Sequence, residues 1–241
     1  MNFVAIIQAR MGSTRLPGKV LMPLGDTCIL DYVVTRCQKI QKVSQVVVAT
    51  SILKQDDDIE NWCELNSVSC FRGSEEDVLE RYYVCAQKYK ADYILRVTAD
   101  CPFVDYELAS LMIEAMVTNP SDILLYEGQI PRGLAVEVIS LQALEKVNLK
   151  GTESRHREHV TYYAYEYKES FTCVSLKLPK YLEHPQLRIT VDTPEDYEVC
   201  QLIAEKFVDN KTISSAEVIQ YLLNSPEVSE INAHIKQKPV I

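Results

Sequence analysis

"FVAIIQARMGSTRLPGKVL", residues 3–21, decides the fold of this chain of 241 residues. The apolar run at 3–7 predicts a buried β strand, and the stretch after it holds two glycines, a proline and three cations. A buried strand that runs into a glycine-containing loop is typical of an open α/β sheet, which binds ligands at the carboxyl ends of its strands. The same stretch therefore predicts the fold class and the first candidate site.

Apolar runs typical of buried strands alternate with helical patterns along most of the chain. Strands are predicted at 3–7, 45–50, 67–71, 92–97, about 122–126, 133–139, 171–178 and 186–191. Helices are predicted at 28–40, 56–65, 74–89, about 104–118, 156–167, about 194–207 and about 214–223, with Ser74 and Asp77 as a capping box for the third. Strands joined by helices predict a parallel sheet covered on both faces. We predict one α/β domain spanning 1–241, with a β-rich insertion at about 127–180 forming one wall of a substrate cleft.

The bulk composition excludes several classes of protein. A formal net charge of -9 and a pI near 5.0 argue against a nucleic-acid binder, which usually carries a basic face. The eight cysteines form no CxxC pair, so we expect reduced core thiols in a cytoplasmic protein and no zinc site. The apolar start is too short for a signal peptide, and no apolar run is long enough to span a membrane.

The loop at 8–19 is purely cationic. Arg10, Arg15 and Lys19 share it with Gly12 and Gly18, and no acidic residue precedes position 26. Glycine lets backbone N–H groups approach an anion closely, and the cations add charge. Five residues separate the glycines and valine follows the lysine, so this is not a Walker A loop. We favour an anion cradle over a solvated loop with incidental cations.

Two carboxylates follow predicted strands at the same sheet edge. Asp100 lies in "RVTADCP" (96–102), where it suits a Mg²⁺ ligand or a turn cap equally well. Asp192 lies in "RITVDTPEDYE" (188–198), where Thr193, Pro194 and Asp196 already account for helix capping. Asp192 is therefore the stronger functional candidate. A cationic loop with two strand-end carboxylates suits nucleotidyl transfer, in which catalysis is positioning and charge stabilisation.

Several motifs together resemble a known family. They are "IIQARMGSTRLPGKVL", "VVVAT", "FRGSEEDVLERY", "VTADCPFVD", "EHVT" and "ITVDTPEDYE". The chain resembles the cytidylyltransferases, which include the CMP-Kdo and CMP-acylneuraminate synthetases, and most of all the spore-coat polysaccharide branch called SpsF. The resemblance implies a three-layer Rossmann-like nucleotidyltransferase fold of the nucleotide-diphospho-sugar transferase type. It also implies a homodimer that transfers CMP from CTP to a sugar acid or sugar-like acceptor, releases pyrophosphate and uses Mg²⁺.

The resemblance also implies roles for particular residues. The implied CTP contacts are Ala9, Arg10, Gly12, Ser13, Arg15, Lys19, Arg72, Gly73, Ser74 and Asp77. The implied catalytic residues are Arg10, Arg15, Lys19 and Asp100, and the implied Mg²⁺ ligands are Asp100 and Asp192.

Acceptor contacts are predicted in the region that departs most from the Kdo and neuraminate enzymes. The candidates are Glu137, His156, Arg157 and His159. His156 and His159 are three apart and can share a helix face, but a structural role for each histidine is at least as favoured. An arginine here can bind a carboxylate or phosphate, or belong to a solvated charge run.

Two other functions stay open at this point. One is a glycosyltransferase that uses a nucleotide-sugar donor, although the nearest candidate for its DxD metal motif, "DCPFVD" (100–105), has the wrong spacing. The other is a non-catalytic homologue that kept the fold. The retention of Lys19, Asp100 and Asp192 together speaks against the second.

Overall fold

A seven-stranded β sheet forms the centre of the computed structural model, which describes residues 1–208 and 210–236. The strands are β1 (Phe3–Gln8), β2 (Pro23–Leu24), β3 (Thr27–Cys28), β4 (Val43–Ser51), β5 (Ser69–Gly73), β6 (Tyr93–Thr98), β7 (Ile123–Glu127), β8 (Glu137–Ser140) and β9 (Cys173–Lys177). The order in the large sheet is β5-β4-β1-β6-β8-β7-β9, and β2 and β3 form a separate ribbon. Within the described residues, only β8 runs antiparallel to the other strands of the large sheet.

Helices cover both faces of the sheet. They are α1 (Ile29–Cys37), α2 (Asp57–Leu65), α3 (Val78–Lys88), α4 (Tyr106–Thr118), α5 (Leu141–Lys150), α6 (Ser154–Glu158), α7 (Tyr162–Glu166), α8 (Pro194–Lys206), α9 (Ser215–Asn224) and α10 (Pro226–Ser229). None of the helices in the described part of the chain is long and apolar enough to cross a membrane. The predicted α/β class with a mainly parallel sheet is confirmed.

Strand β1 shows why the sheet has two cores. Its side chains alternate between the faces, as the strand period of two requires. Phe3, Ala5 and Ile7 join the core beneath α1, α4 and α8, whereas Val4 and Ile6 join the core beneath α3 and α5. Burial on both faces makes the run continuously apolar, which is why sequence alone identified it.

The predicted strand at 186–191 is wrong. Ile189 and Val191 are fully buried, so the apolar pattern was a correct sign of burial. The segment's backbone, however, pairs with two loops: Ile189 N donates to Arg132 O at 2.7 Å, and Val191 N donates to Asp100 O at 2.8 Å. Gly133 allows this close approach, because its φ is +99° and a Cβ there would lie 2.2 Å from Ile189 O.

Two predicted helices differ from the structure: one begins later than predicted, and the other is interrupted near its centre. The helix predicted at 74–89 begins only at Val78, because Asp77 is its N-cap and Ser74 Oγ instead accepts from Asp77 N. The helix predicted at 156–167 is broken into α6 and α7. The break contains Thr161, whose hydroxyl donates to Glu137 at 2.6 Å and does not cap α7.

The segment 127–180 is mixed, whereas the sequence predicted a β-rich insertion. It contains β8 and β9, which belong to the main sheet, together with the helices α5, α6 and α7. Helix α5 was missed because its amphipathic pattern follows directly on β8, and Ser140 is both the last residue of the strand and the cap of the helix. The capping box predicted for α8, with Thr193, Pro194 and Asp196, is confirmed.

Candidate active site

The loop after β1 folds back on itself at the carboxyl edge of the sheet. Met11 O accepts hydrogen bonds from Ser13 N and Gly18 N, both at 2.9 Å. Gly18 has a φ of +71°, a left-handed conformation that glycine adopts without strain. The turn ends in a 3-10 helix at Lys19–Leu21, which directs Lys19 back toward the sheet edge.

Asp56 anchors this loop and was not identified as a site residue from the sequence. Its fully buried carboxylate accepts from Met11 N at 2.7 Å, and from Ser51 N at 3.2 Å and Ser51 Oγ at 2.5 Å. The carboxylate thus ties the loop to the end of β4. The run "DDD" at 56–58 was the available signal, but acids at a helix start are ordinary and pointed to capping.

Lys19 brings the two predicted carboxylates together. Its Nζ lies 2.7 Å from Asp100 Oδ2 and 3.0 Å from Asp192 Oδ1, and it donates to Val191 O at 2.6 Å. Burial by itself lowers the pKa of Lys19, but Asp100 and Asp192 outweigh it and raise that pKa above its usual value. Lys19 is therefore a buried ammonium at neutral pH.

Asp192 is held by cations on both of its oxygens. Arg15 lies 3.0 Å from Oδ1, and Arg188 donates to Oδ2 at 2.9 Å. Arg188 is fixed in turn by Asp196, which accepts from its Nε at 2.7 Å. Burial alone raises the pKa of Asp192, but its cationic neighbours, foremost Lys19, lower the pKa to about 2. Asp192 therefore stays ionised.

The three cations of the loop differ in how exposed they are to solvent. Lys19 is buried in the carboxylate cluster, whereas the side chains of Arg10 and Arg15 are 44% and 35% exposed. Among the described residues, the ion pairs of Arg10 are long, at 3.5 Å to Glu75 and 3.9 Å to Glu158. The two arginines are thus the loop cations that a ligand can reach directly.

The predicted nucleotide contacts after β5 are engaged with protein groups. Arg72 donates to Ser51 O at 2.8 Å and Leu53 O at 2.9 Å, and it pairs with Glu60 at 2.6 Å and Asp57 at 2.8 Å. Arg72 therefore fastens the ends of β4 and β5 to α2. Its position keeps the predicted loop of Gly73 and Ser74 at the same sheet edge as the loop after β1.

Asp77 and Arg157 were predicted for different ligands, but they bind each other. Arg157 Nε donates to Asp77 at 2.9 and 3.0 Å, and its NH2 donates at 2.5 Å. Arg157 also donates to Asn148 O at 3.0 Å and Gly151 O at 3.2 Å. The pair fastens α6 to the start of α3.

The two predicted histidines lie in different surroundings. His156 is buried, and its Nε2 lies 2.8 Å from Glu166 Oε2, so it joins α6 to α7. His159 is half-buried, and burial lowers its pKa below the usual value. Glu137, the fourth predicted acceptor contact, lies at the start of β8 and pairs with Arg96 at 2.6 Å.

The donor set at Lys19 fits a divalent cation only in part. Within the described residues, no three His, Cys, Asp or Glu side chains form a group that could hold a metal ion. Asp100 and Asp192 supply hard oxygen ligands, and Mg²⁺ commonly takes one or two carboxylates and completes its shell with substrate phosphate and water. The pair therefore fits a Mg²⁺ ion that arrives with a triphosphate. Ligation by Asp192 Oδ1 would require both Arg15 and the Lys19 ammonium to move away from that oxygen.

Asp105 argues against the alternative metal motif at 100–105. It is buried, and its Oδ1 accepts from Glu107 N at 3.0 Å and Leu108 N at 2.8 Å, so it caps α4. Only Asp100 of that motif faces the cluster around Lys19.

Known proteins resemble this chain along nearly its whole length. The cytidylyltransferase family model matches residues 4–238. The spore coat polysaccharide biosynthesis protein SpsF of Bacillus subtilis is 38% identical over 233 residues, covering 95% of this chain and 97% of SpsF. A cytidylyltransferase structure from Leptospira borgpetersenii superposes with a TM-score of 0.89 at 33% identity, covering 99% of this chain and all of that one.

A more distant structure shares the fold. It is a CMP:2-keto-3-deoxy-manno-octonic acid synthetase complexed with CTP, which superposes with a TM-score of 0.64 at 16% identity and covers 86% of this chain and 100% of its own. The resemblance found in the sequence motifs is confirmed: the chain belongs to the cytidylyltransferase family.

Proposed function

We propose that this protein transfers CMP from CTP to a sugar-acid acceptor and releases pyrophosphate, in the synthesis of a surface polysaccharide. Membership of the cytidylyltransferase family supports the reaction class. The observation that carries the proposal is Lys19, which holds Asp100 and Asp192 together beside a cationic glycine loop. The name of the Bacillus subtilis relative supports the polysaccharide setting.

Arg10 and Arg15 are the groups we assign to the triphosphate. Both are exposed enough to bind phosphate oxygens, and guanidinium binds them in a bidentate manner. An acceptor hydroxyl oxygen attacks the α-phosphorus and releases its proton to water, the bond to the bridging oxygen of the β-phosphate breaks, and pyrophosphate leaves with the electron pair. Cations on the leaving side stabilise the charge that develops there.

Asp100 and Asp192 are the residues we assign to Mg²⁺. When bound, Mg²⁺ would neutralise phosphate charge and orient the triphosphate. Lys19 helps to keep Asp192 ionised and holds the Asp100 and Asp192 carboxylates close together before the nucleotide arrives. Arg15 contacts Asp192 Oδ1, so its movement to a phosphate would remove one of the two cations on that oxygen and leave Lys19 as the other.

The proposed quaternary structure is a homodimer, with 127–180 contributing acceptor contacts and part of the dimer interface within a single domain. This part of the proposal rests on the family resemblance. Size-exclusion chromatography with light scattering tests it, and a monomer at micromolar concentration would contradict it.

The reaction is tested by measuring pyrophosphate release. The protein is incubated with Mg²⁺, each of the four NTPs and a panel of sugar acids that begins with 2-keto-3-deoxy-manno-octonic acid. We expect release with CTP plus one acceptor class, and about a 100-fold lower rate for Asp100→Asn, since a group of this kind typically contributes 10²–10³-fold. The exposed Asp26→Asn is the control. Consumption of a nucleotide sugar without pyrophosphate release would contradict the proposal.

A further inference from the structure

A second group of polar side chains surrounds Arg96 and Glu137. It lies beside the loop at 8–19, called the phosphate loop from here on. Arg96 NH1 donates to Glu137 Oε2 at 2.6 Å, and Arg96 NH2 donates to Gln8 Oε1 at 3.2 Å. Thr161 Oγ1 donates to the same Glu137 oxygen at 2.6 Å. Gln8 ends β1 and Arg96 lies near the end of β6, so this group sits at the sheet edge from which the phosphate loop starts.

Arg96 is an unusual residue for its place in the sheet. It stands in β6, between Leu95 and Val97, which are both buried. Its Nε is buried and has no hydrogen-bond partner among the described residues, which costs free energy. A buried ion pair adds little net stability by itself. The pair is thus better explained by the need to fix Glu137 than by a gain in stability.

Glu137 keeps one oxygen for a ligand. Its Oε2 takes both protein hydrogen bonds, from Arg96 and Thr161. Its Oε1 accepts no hydrogen bond from any residue that the structure describes, and the side chain is 29% exposed. A carboxylate oxygen that is held in a fixed direction and left open accepts a hydrogen bond from a ligand O–H or N–H group.

Two of the side chains near Glu137, Tyr165 and His159, are neutral hydrogen-bonding groups. Burial, then the Glu137 charge, raises the pKa of Tyr165 well above its usual value, so its phenol stays protonated. Burial lowers the pKa of His159, so its imidazole is neutral at pH 7. The Arg96–Glu137 pair carries no net charge. This surface therefore suits an uncharged hydroxyl-bearing part of a ligand, whereas the phosphate loop beside it suits an anion.

We propose that Glu137 Oε1 accepts a hydrogen bond from a hydroxyl group of the sugar acceptor, and that Arg96 is the positioning residue that holds Glu137 for it. The proposal rests on the proposed function and deepens it. Because two carboxylates repel each other, the acceptor's own carboxylate lies away from Glu137. The acceptor is thus a polyhydroxylated sugar acid whose hydroxyl side faces β8 and α7.

The test is steady-state kinetics of pyrophosphate release with the best acceptor from the sugar-acid panel. In Glu137→Gln, the amide oxygen can still face Arg96, and an N–H donor replaces the open acceptor. We expect the KM for the acceptor to rise about 10- to 100-fold, as the loss of one hydrogen bond to a charged group implies, and the KM for CTP to stay within twofold. Glu145→Gln, which alters a surface glutamate bound to Tyr83, is the matched control and leaves both constants unchanged.

Mono-O-methyl forms of the same acceptor supply a test that needs no variant. Methylation removes one O–H donor, so one of the methylated forms should have the raised KM with the natural protein and no further rise with Glu137→Gln. Arg96→Gln should raise the acceptor KM without affecting the CTP KM, and combining it with Glu137→Gln should add little.

The outcomes separate the two proposals. If CTP and every sugar acid give no pyrophosphate with the natural protein, both the function and this inference are overturned. If pyrophosphate forms but Glu137→Gln leaves the acceptor KM unchanged, or raises the CTP KM equally, only the role of Glu137 is overturned.

Discussion

Lys19 is the residue that makes one cluster of two distant carboxylates. Replacing it with methionine leaves Asp100 without its cation, and we expect the rate of pyrophosphate release to fall about 10²–10³-fold. The free energy of unfolding should fall by about 2 kcal/mol, because the partly buried Asp100 carboxylate loses its charged partner. Urea denaturation and the pyrophosphate assay measure the two effects.

A double variant separates stability from chemistry at Lys19. Adding Asp100→Asn to Lys19→Met removes the unpaired charge, so much of the lost stability should return while the rate stays low. Recovery of both properties together would contradict a role for Asp100 in the reaction.

The ion pairs of Asp192 make the free energy of unfolding depend on pH in the acidic range. Its folded-state pKa is about 2, below the usual value of 3.8, so ionised Asp192 stabilises the fold at pH values above about 4. This contribution, about 2 kcal/mol, is lost as the pH falls through 4 toward 2. Urea denaturation at pH 5, 4 and 3 should show a shallower decline for Asp192→Asn than for the natural protein. Parallel declines would contradict the pairing, and exposed Asp26→Asn is the control.

The phosphate loop depends on a residue from another element. Asp56 ties Met11 to the end of β4, so Asp56→Asn should loosen the loop at 9–18. We expect hydrogen exchange of the loop amides to accelerate and the KM for CTP to rise about tenfold, since one well-made hydrogen bond to a charged group contributes about 1.5 kcal/mol. Asp58→Asn, an exposed neighbour, is the control. Unchanged exchange at Gly12 and Gly18 would show that the loop holds its shape without Asp56.

Elements buried on both sides were predictable from the sequence, and elements defined by their backbone partners were not. Strand β1 is almost entirely apolar and β4 has an apolar run at 46–49, as expected for strands of a sheet covered on both faces. The segment 186–191 is equally apolar, but its hydrogen bonds go to loops at 100 and 132, and apolar pattern carries no information on partners.

The candidate site was likewise predictable only in part from the sequence. Asp100 follows β6 and the loop with Lys19 follows β1, so neighbouring parallel strands bring these two to one edge, whereas Asp192 reaches that edge from a segment that is not a strand. The pairing of Asp77 with Arg157 was unpredictable, since it joins helices 80 residues apart in sequence. Arg96 could have been noticed as a charged residue inside a predicted buried strand. The prediction of a strand at 92–97 used only its apolar residues.

At the scale of the whole molecule, a ligand must bind a chain whose net charge is -9. The cluster around Lys19 is itself balanced, because Lys19, Arg15 and Arg188 face three aspartates, at 100, 192 and 196. Free CTP is a polyanion, and of the two exposed arginines of the loop, Arg15 is already paired with Asp192. Mg²⁺ removes part of the phosphate charge, so we expect the nucleotide and the metal to bind cooperatively.

Thermal unfolding tests this cooperation on the intact protein. A ligand at 100 times its Kd stabilises the folded state by about 2.7 kcal/mol, which for a domain of this size raises the Tm by about 5–10 °C. We expect a shift of this size with CTP and Mg²⁺ together, a much smaller one with CTP alone, and none for Lys19→Met with both. Glu137→Gln should keep the full shift, because Glu137 is assigned to the acceptor. Equal shifts with and without Mg²⁺ would show that Asp100 and Asp192 hold no metal, and no shift with any nucleotide would favour a non-catalytic homologue.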